Sequence, residues 1–459
     1  MKIIVLCGGS GKRLWPLSNE IRSKLFLKLL PCKNGGRESM IERICGQLAA
    51  AGLLSSAMIV AHQSQIDIVR SQVGEEVPIL GEPLKKGTFT AVALAAAYLH
   101  SVKQVPPDET ICVIPADLFV DSTFFQTIAT LPAVLSASHA DLVLLGVPPT
   151  SSSSQFGYIL PAQGPQTSYA PVRRFIEKPS IRHARRLIMQ GALWNCGVFA
   201  FRQSFMLSVL QRKGLPTRYE EWGTLYEHLP ERGFDYEIVE KTRQAAVVPY
   251  RGTWQDLGSW ETFTNHLDTE VIGPGEMTED SLHTHIVNEL TQPIKVLGVS
   301  NVIVAASLDG ILVASKKNAN RIKEMLPPTP ARPLYEEKRW GTYHVLDCSA
   351  TNAGLATLTK KIKLLPGKNI SYQLHRHRSE IWTILSGSGD FILEGRRFPV
   401  KTGDVIRIPA GAKHAVKAHT PLECIEVQIG SKLTESDITR IAMTWDQILE
   451  HCQEPDSPH

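Results

Sequence analysis

Lys2-Ile3-Ile4-Val5-Leu6-Cys7 runs straight into Gly8-Gly9-Ser10-Gly11-Lys12-Arg13-Leu14-Trp15-Pro16, and Ser23-Lys24-Leu25-Phe26 follows closely. The apolar run predicts a buried strand, and the glycines after it predict a loop whose backbone comes close to a ligand. Successive N–H groups of such a loop form a concavity for anions. Arg13 and Lys12 close it with positive charge, and an arginine fork matches phosphate oxygens in pairs. Two common phosphate loops are excluded by spacing: G-x-G-x-x-G needs glycine where Leu14 stands, and a P-loop needs Gly-Lys-Ser/Thr where the chain has Gly11-Lys12-Arg13. The stretch implies a nucleoside triphosphate site.

The 459 residues are enough for two or three domains, and 43% hydrophobic with 20% charged residues is ordinary for a soluble globular protein. A net charge of +4 is too small to argue for nucleic acid or membrane as partner. The eight cysteines form no C-x-x-C pair, and most sit in apolar surroundings, as small buried thiols do. The chain opens on a strand without a signal-peptide pattern and has no apolar run of membrane-spanning length, so a cytoplasmic location is expected.

Up to residue 265, strand-like runs (Lys2–Cys7, Met58–Ala61, Ile111–Pro115, Leu142–Val147) alternate with helix-like stretches (Ser39–Gly52, Thr88–Ser101). That alternation predicts a Rossmann-like α/β domain with a mostly parallel sheet, whose ligands lie at the strands' carboxyl ends. Residues 266–334 read as a small β-rich connector, with a hairpin turn at Asp309-Gly310 and a proline-rich linker at Leu326–Pro333. From 335 to 445, short strands separated by turns predict a small β-barrel, followed by a tail over 446–459.

Chemistry on a bound triphosphate calls for a divalent cation, and Mg²⁺ takes one or two protein carboxylates. Asp117 follows the strand Ile111–Pro115, and Asp256 lies between Trp254 and Trp260. Lys24 and Arg13 are placed to neutralise phosphates, and Lys178 in Phe175-Ile176-Glu177-Lys178-Pro179 is a compact point charge suited to a phosphate. In the last third, His375-Arg376-His377-Arg378-Ser379-Glu380 and Pro409-Ala410-Gly411-Ala412-Lys413-His414 form the two-part motif of a cupin barrel. Residues two apart in a strand face one side, so His375 and His377 are expected to point inward together. With Glu380 and His414 they make a nitrogen–oxygen set suited to Zn, Mn, Co or Fe.

These motifs resemble those of the sugar-1-phosphate nucleotidylyltransferases. They are most similar to the bacterial mannose-1-phosphate guanylyltransferases, many of which carry a C-terminal type II mannose-6-phosphate isomerase domain. The resemblance implies GTP and mannose 1-phosphate as substrates, GDP-mannose and pyrophosphate as products, Mg²⁺ as cofactor and a homodimer. It assigns Arg13, Lys24, Asp117 and Asp256 to catalysis, the two aspartates holding the metal. Gly8, Gly9, Gly11, Lys12, Glu82 and Thr88 fall to the nucleotide, and Gly157, Glu177, Lys178 and Asn195 to the sugar. The chain departs from the family at five places. Lys12 replaces a threonine, Ser23-Lys24-Leu25-Phe26 replaces Pro-Lys-Gln-Phe, and Lys86-Gly87-Thr88-Phe89-Thr90 replaces Arg-Asn-Thr-Ala-Pro in the base-reading segment. The cupin has Arg376 and Ile381 where histidines are usual, and Ala415-Val416-Lys417-Ala418 where Arg-Leu-Glu-Asn is usual. The same chemistry on another sugar 1-phosphate, such as a heptose, or with another base is the alternative. A non-catalytic sugar-nucleotide sensor has no need of two metal carboxylates.

Overall fold

In the computed structural model, Lys2–Cys7 (β1) is paired on both edges, which explains its apolar stretch from Ile3 to Leu6. Strands of parallel sheets covered on both faces read as continuous hydrophobic runs. On one side β1 runs parallel to Ala57–His62 (β2), which pairs with Ile79–Glu82 (β3); on the other it runs parallel to Thr110–Pro115 (β4). Ile3, Ile4 and Val5 are fully buried, each worth about 1.5–3 kcal/mol of transfer free energy. The structure describes all residues except 10–11, 33, 163–167, 328–331, 351–353 and 453–459. Gly11, part of the proline-rich linker and half of the tail therefore lie outside the described residues.

Past β4 the sheet becomes mixed. The remaining strands are Leu118–Val120 (β5), Leu142–Val147 (β6), Tyr158–Pro161 (β7), Ala170–Ile176 (β8), Leu193–Arg202 (β9), Ala245–Pro249 (β10) and Trp254–Asp256 (β11). The main sheet has the order β3-β2-β1-β4-β9-β6-β10-β8-β7, and β9 runs antiparallel between β4 and β6. β5 and β11 form a separate two-stranded ribbon. Because β1 to β4 are parallel, the opening loop, Glu82 and the segment after Pro115 all emerge at one edge.

Two helices support that edge. Met40–Ala50 (α1) starts in a capping box between Ser39 and Glu42. Gly87–Ser101 (α2) buries ten of its residues, Phe89 to Ala97 and Leu99, as a helix hydrophobic all round must. No helix among the described residues is long and apolar enough to cross a membrane.

The chain divides into two compact units, 1–305 with 312–326, and 306–311 with 327–459. Most of the connector thus belongs with the first unit. There Val271–Ile272 pairs in parallel with His285–Asn288, and Gly275–Met277 with Ile294–Val296.

The second unit contains Tyr335–Lys338 (β12), Gly341–Ala350 (β13), Ala356–Leu364 (β14), Tyr372–His375 (β15), Arg378–Ser386 (β16) and Ser388–Leu393 (β17). Arg396–Lys401 (β18), Val405–Ile408 (β19), His414–Ala418 (β20), Leu422–Gly430 (β21) and Ile438–Ala442 (β22) complete it. Two sheets result, β12-β13-β14-β21-β16-β19 and β18-β17-β20-β15-β22. Burial alternates strictly along β21, with Leu422, Cys424, Glu426, Gln428 and Gly430 inside. The interior is therefore apolar at one end and ionisable at the other: Lys360, Arg378, Glu380 and Glu426 are all buried. Buried charges survive only when paired or metal-bound.

Candidate active site

The antiparallel ribbon brings the two aspartates together. Asp256 ends β11 opposite Leu118, and Asp117 immediately precedes Leu118. The Lys24 ammonium lies 3.0 Å from Asp117 Oδ2 and 3.1 Å from Asp256 Oδ1. Burial alone would lower the pKa of Lys24, but Asp117 and then Asp256 outweigh it and hold it above its ordinary value. Lys24 opens a short turn anchored by fully buried Leu25 and Phe26. Arg13 is fixed in the same way by buried Leu14, and its guanidinium reaches the same place. A Cβ at Gly258 would sit 3.1 Å from Asp256 Oδ1 and 3.3 Å from Arg13 Nη1. Gly8 and Gly9 are exposed, with Gly9 at φ +116, and Lys12 lies 3.7 Å from Glu20.

A second group surrounds Glu177. Its Oε1 accepts from Lys178 Nζ at 2.7 Å, while its Oε2 is buried with no hydrogen-bond partner among the described residues. A Cβ at Gly157 would come within 2.5 Å of that Oε2 and 2.7 Å of the Phe175 ring, so a side chain here would displace both. The Asn195 N–H donates to the Gly157 carbonyl, and Asn195 Nδ2 donates to Asp235 Oδ1 at 2.7 Å. Burial, reinforced by the Glu177 carboxylate, pushes the pKa of Asp235 up to about 6. Asp235 carries no sequence signal that separates it from a surface acid; only its partner Asn195 reveals it. An aromatic cluster joins the two groups. Phe156, Trp194 and Trp254, neighbours of Gly157, Asn195 and Asp256, have ring centroids 4.7 to 6.3 Å apart.

The base-reading candidates have structural partners in this state. Glu82 is buried and accepts from the Tyr226 hydroxyl, and burial raises its pKa. Thr88 Oγ1 accepts from the Phe234 N–H at 2.9 Å, pinning the short helix Phe234–Glu237 (α3) that carries Asp235. Gly87 has φ +84, and a Cβ there would overlap the Arg232 carbonyl, which accounts for glycine in the altered segment. Lys85, absent from the sequence reading, donates to the Glu20 carbonyl at 3.3 Å beside Lys12.

In the barrel, His375, Glu380 and His414 converge, their ligand atoms within 4.8 Å of one another. His377 does not join them. β15 ends at His375, so Arg376 and His377 lie in a bend, where strand alternation no longer applies, and His377 is exposed. Asp437 holds that bend by accepting from the Arg376 and His377 N–H groups. Within the strand, the residue sharing the face of His375 is Gln373, whose amide lies 3.5 Å from His375 Nε2. Each imidazole has Nδ1 against a carbonyl, that of Asp437 for His375 and that of Ala412 for His414, which turns Nε2 inward as a lone pair. Burial lowers both pKa values to about 4. His414 Nε2 is buried without a hydrogen bond, 3.5 Å from Glu380 Oε2. Arg378, part of the motif but given no role in it, puts its guanidinium 3.0 Å from Glu380 Oε1 and 3.3 Å from His375 Nε2.

Comparison with known proteins finds matches to both parts of the chain. The family described as Nucleotidyl transferase matches residues 2–270, and that described as Mannose-6-phosphate isomerase C-terminal matches residues 334–443. Xanthan biosynthesis protein XanB of Xanthomonas campestris is 31% identical over 96% of this chain and 98% of its own length. Mannose-1-phosphate guanylyltransferase RfbM of Salmonella typhimurium is 28% identical over 95% of this chain and 96% of its own. A crystal structure titled mannose-1-phosphate geranyltransferase, from Thermus thermophilus, superposes with a TM-score of 0.59 at 30% identity, covering 71% of this chain and 97% of that one. The chain belongs to the nucleotidyl transferase family and carries a mannose-6-phosphate isomerase C-terminal domain.

Proposed function

We propose that this chain transfers the guanylyl group of GTP to mannose 1-phosphate, giving GDP-mannose and pyrophosphate. One observation carries the reading: a single ammonium, that of Lys24, is held by Asp117 and Asp256, with Arg13 beside them. That is a cation position lined by hard oxygens, a donor set suited to Mg²⁺. The sugar and base come from the relatives' names.

In the reaction an oxygen of the sugar phosphate bonds to the α-phosphorus. The bond from that phosphorus to the bridging oxygen breaks, and pyrophosphate leaves with the electron pair. Asp117 and Asp256 would hold Mg²⁺, which when bound neutralises phosphate charge and aligns attacking and leaving oxygens. Gly8, Gly9, Gly11 and Lys12 would cradle the triphosphate. Arg13 and Lys24 would stabilise the departing pyrophosphate. Lys178 would take the sugar phosphate, while Glu177, with its bare Oε2, and Asn195 would take sugar hydroxyls beside Gly157. Glu82 and Thr88 would line the base. A homodimer and a cytoplasmic location accompany the family reading.

For the barrel, the bare Nε2 of His414 and the neutral imidazoles fit a transition metal (Zn, Mn, Co or Fe) held by His375, Glu380 and His414. Ala415-Val416-Lys417-Ala418 stands where Arg-Leu-Glu-Asn is usual, which removes polar partners beside His414, so we read isomerase activity as weak or lost.

A screen of nucleoside triphosphates against mannose, glucose and heptose 1-phosphates tests the assignment. GTP with mannose 1-phosphate should release pyrophosphate fastest; faster release with another pair moves the assignment to that pair.

A further inference from the structure

The ribbon that presents the two aspartates spans three residue pairs, Leu118–Asp256 to Val120–Trp254. A two-stranded hairpin is marginal by itself, and a one-residue slip would turn Asp256 to the other face. Something must fix its register. At the end of the ribbon away from Asp117 and Asp256 stands Asp121, whose carboxylate is saturated with donors from both strands' flanks. Oδ1 accepts from the Thr123 N–H and hydroxyl and from the Tyr250 hydroxyl at 2.9 Å, and Oδ2 accepts from the Thr253 N–H at 2.6 Å. Those bonds outweigh burial and hold the Asp121 pKa well below the usual carboxylate range.

The clamp is seated on the main sheet. The Tyr250 N–H donates to the Gly146 carbonyl in β6, and its ring meets the edge of Phe124 at 5.2 Å. Gly252 leaves the necessary space: a Cβ there would overlap the Tyr250 hydroxyl and come within 2.8 Å of Asp121 Oδ2. From Thr253 to Asp256, and from Asp121 back to Asp117, is only the length of the ribbon.

We infer that Asp121 is a positioning residue, which fixes the spacing of Asp117 and Asp256 and with it their affinity for a divalent cation. This rests on those two aspartates being the cation ligands. Mn²⁺ titration of the full chain in a His375→Ala background, which removes the barrel's metal site, followed by electron paramagnetic resonance, separates the two statements. Asp121→Ala should raise the Mn²⁺ dissociation constant about tenfold, the lower end of what loss of an outer-shell partner costs a metal site. Tyr250→Phe, which keeps the ring packing, should shift it in the same direction by less. In pyrophosphate release, the Mg²⁺ response should move to higher concentration and recover at saturation, with KM for mannose 1-phosphate unchanged. Asp256→Asn serves as the reference. If it loses Mn²⁺ while Asp121→Ala, or Tyr250→Phe should the alanine variant not fold, binds as wild type does, the role of Asp121 is overturned. If Asp256→Asn itself binds Mn²⁺ normally, the underlying ligand assignment falls instead.

Discussion

Asp235 sits where three polar side chains meet, and its surroundings set its charge. With its pKa raised from the ordinary 3.8 to about 6, the folded chain holds a proton between those values that the unfolded chain has released. Stability from this group is therefore present below about pH 4 and lost as pH rises through 6, by at most about 3 kcal/mol. Asp235→Asn abolishes that titration, so its melting temperature should gain on wild type as pH rises from 4 to 7; a constant difference would refute the assignment. Lys178 is half-exposed, ion-paired with Glu177 and 6.0 Å from the Tyr236 ring centroid, so its loss should spare the fold. Lys178→Ala should raise KM for mannose 1-phosphate about tenfold or more while changing kcat little, and steady-state kinetics will show whether KM moves. Among the barrel residues, His375→Ala should remove bound metal and His377→Ala should retain it, as read by metal analysis of purified variants.

At the scale of elements, the altered base segment bears on the sugar site through α2 and α3. Thr88 Oγ1 and the Phe89 N–H tie the start of α2 to Phe234 and Arg232. Gly87→Ala would drive a methyl into the Arg232 carbonyl, an overpacking that costs about 1–3 kcal/mol. It should lower the melting temperature and raise KM for mannose 1-phosphate through displaced Asp235; unchanged KM would separate the two segments. The elements themselves were largely legible. The runs Lys2–Cys7 and Leu142–Val147 are strands because both faces are covered, and burial on both faces writes itself as unbroken hydrophobicity. The mixed half of the sheet was not legible, because the direction of β9 depends on its neighbours rather than on its own residues. His377 shows the same limit. Its two-residue spacing from His375 suggests a shared face only while the strand lasts, and the strand stops at His375.

Across the whole molecule, the ligands of each site come from distant stretches of chain: Lys24, Asp117 and Asp256 in one unit, His375, Glu380 and His414 in the other. Motifs revealed the individual residues, whereas Asp235, Arg378 and Asp121 acquire meaning only from what the fold puts beside them. The central claim is that Asp117 and Asp256 together hold the cation that nucleotidyl transfer requires. Its most direct test is the Mg²⁺ dependence of pyrophosphate release from GTP and mannose 1-phosphate in wild type, Asp117→Asn and Asp256→Asn. Each variant should lose at least about a hundredfold in kcat, the scale of one lost electrostatic stabiliser. Near-normal turnover at ordinary Mg²⁺ in either variant would contradict the account.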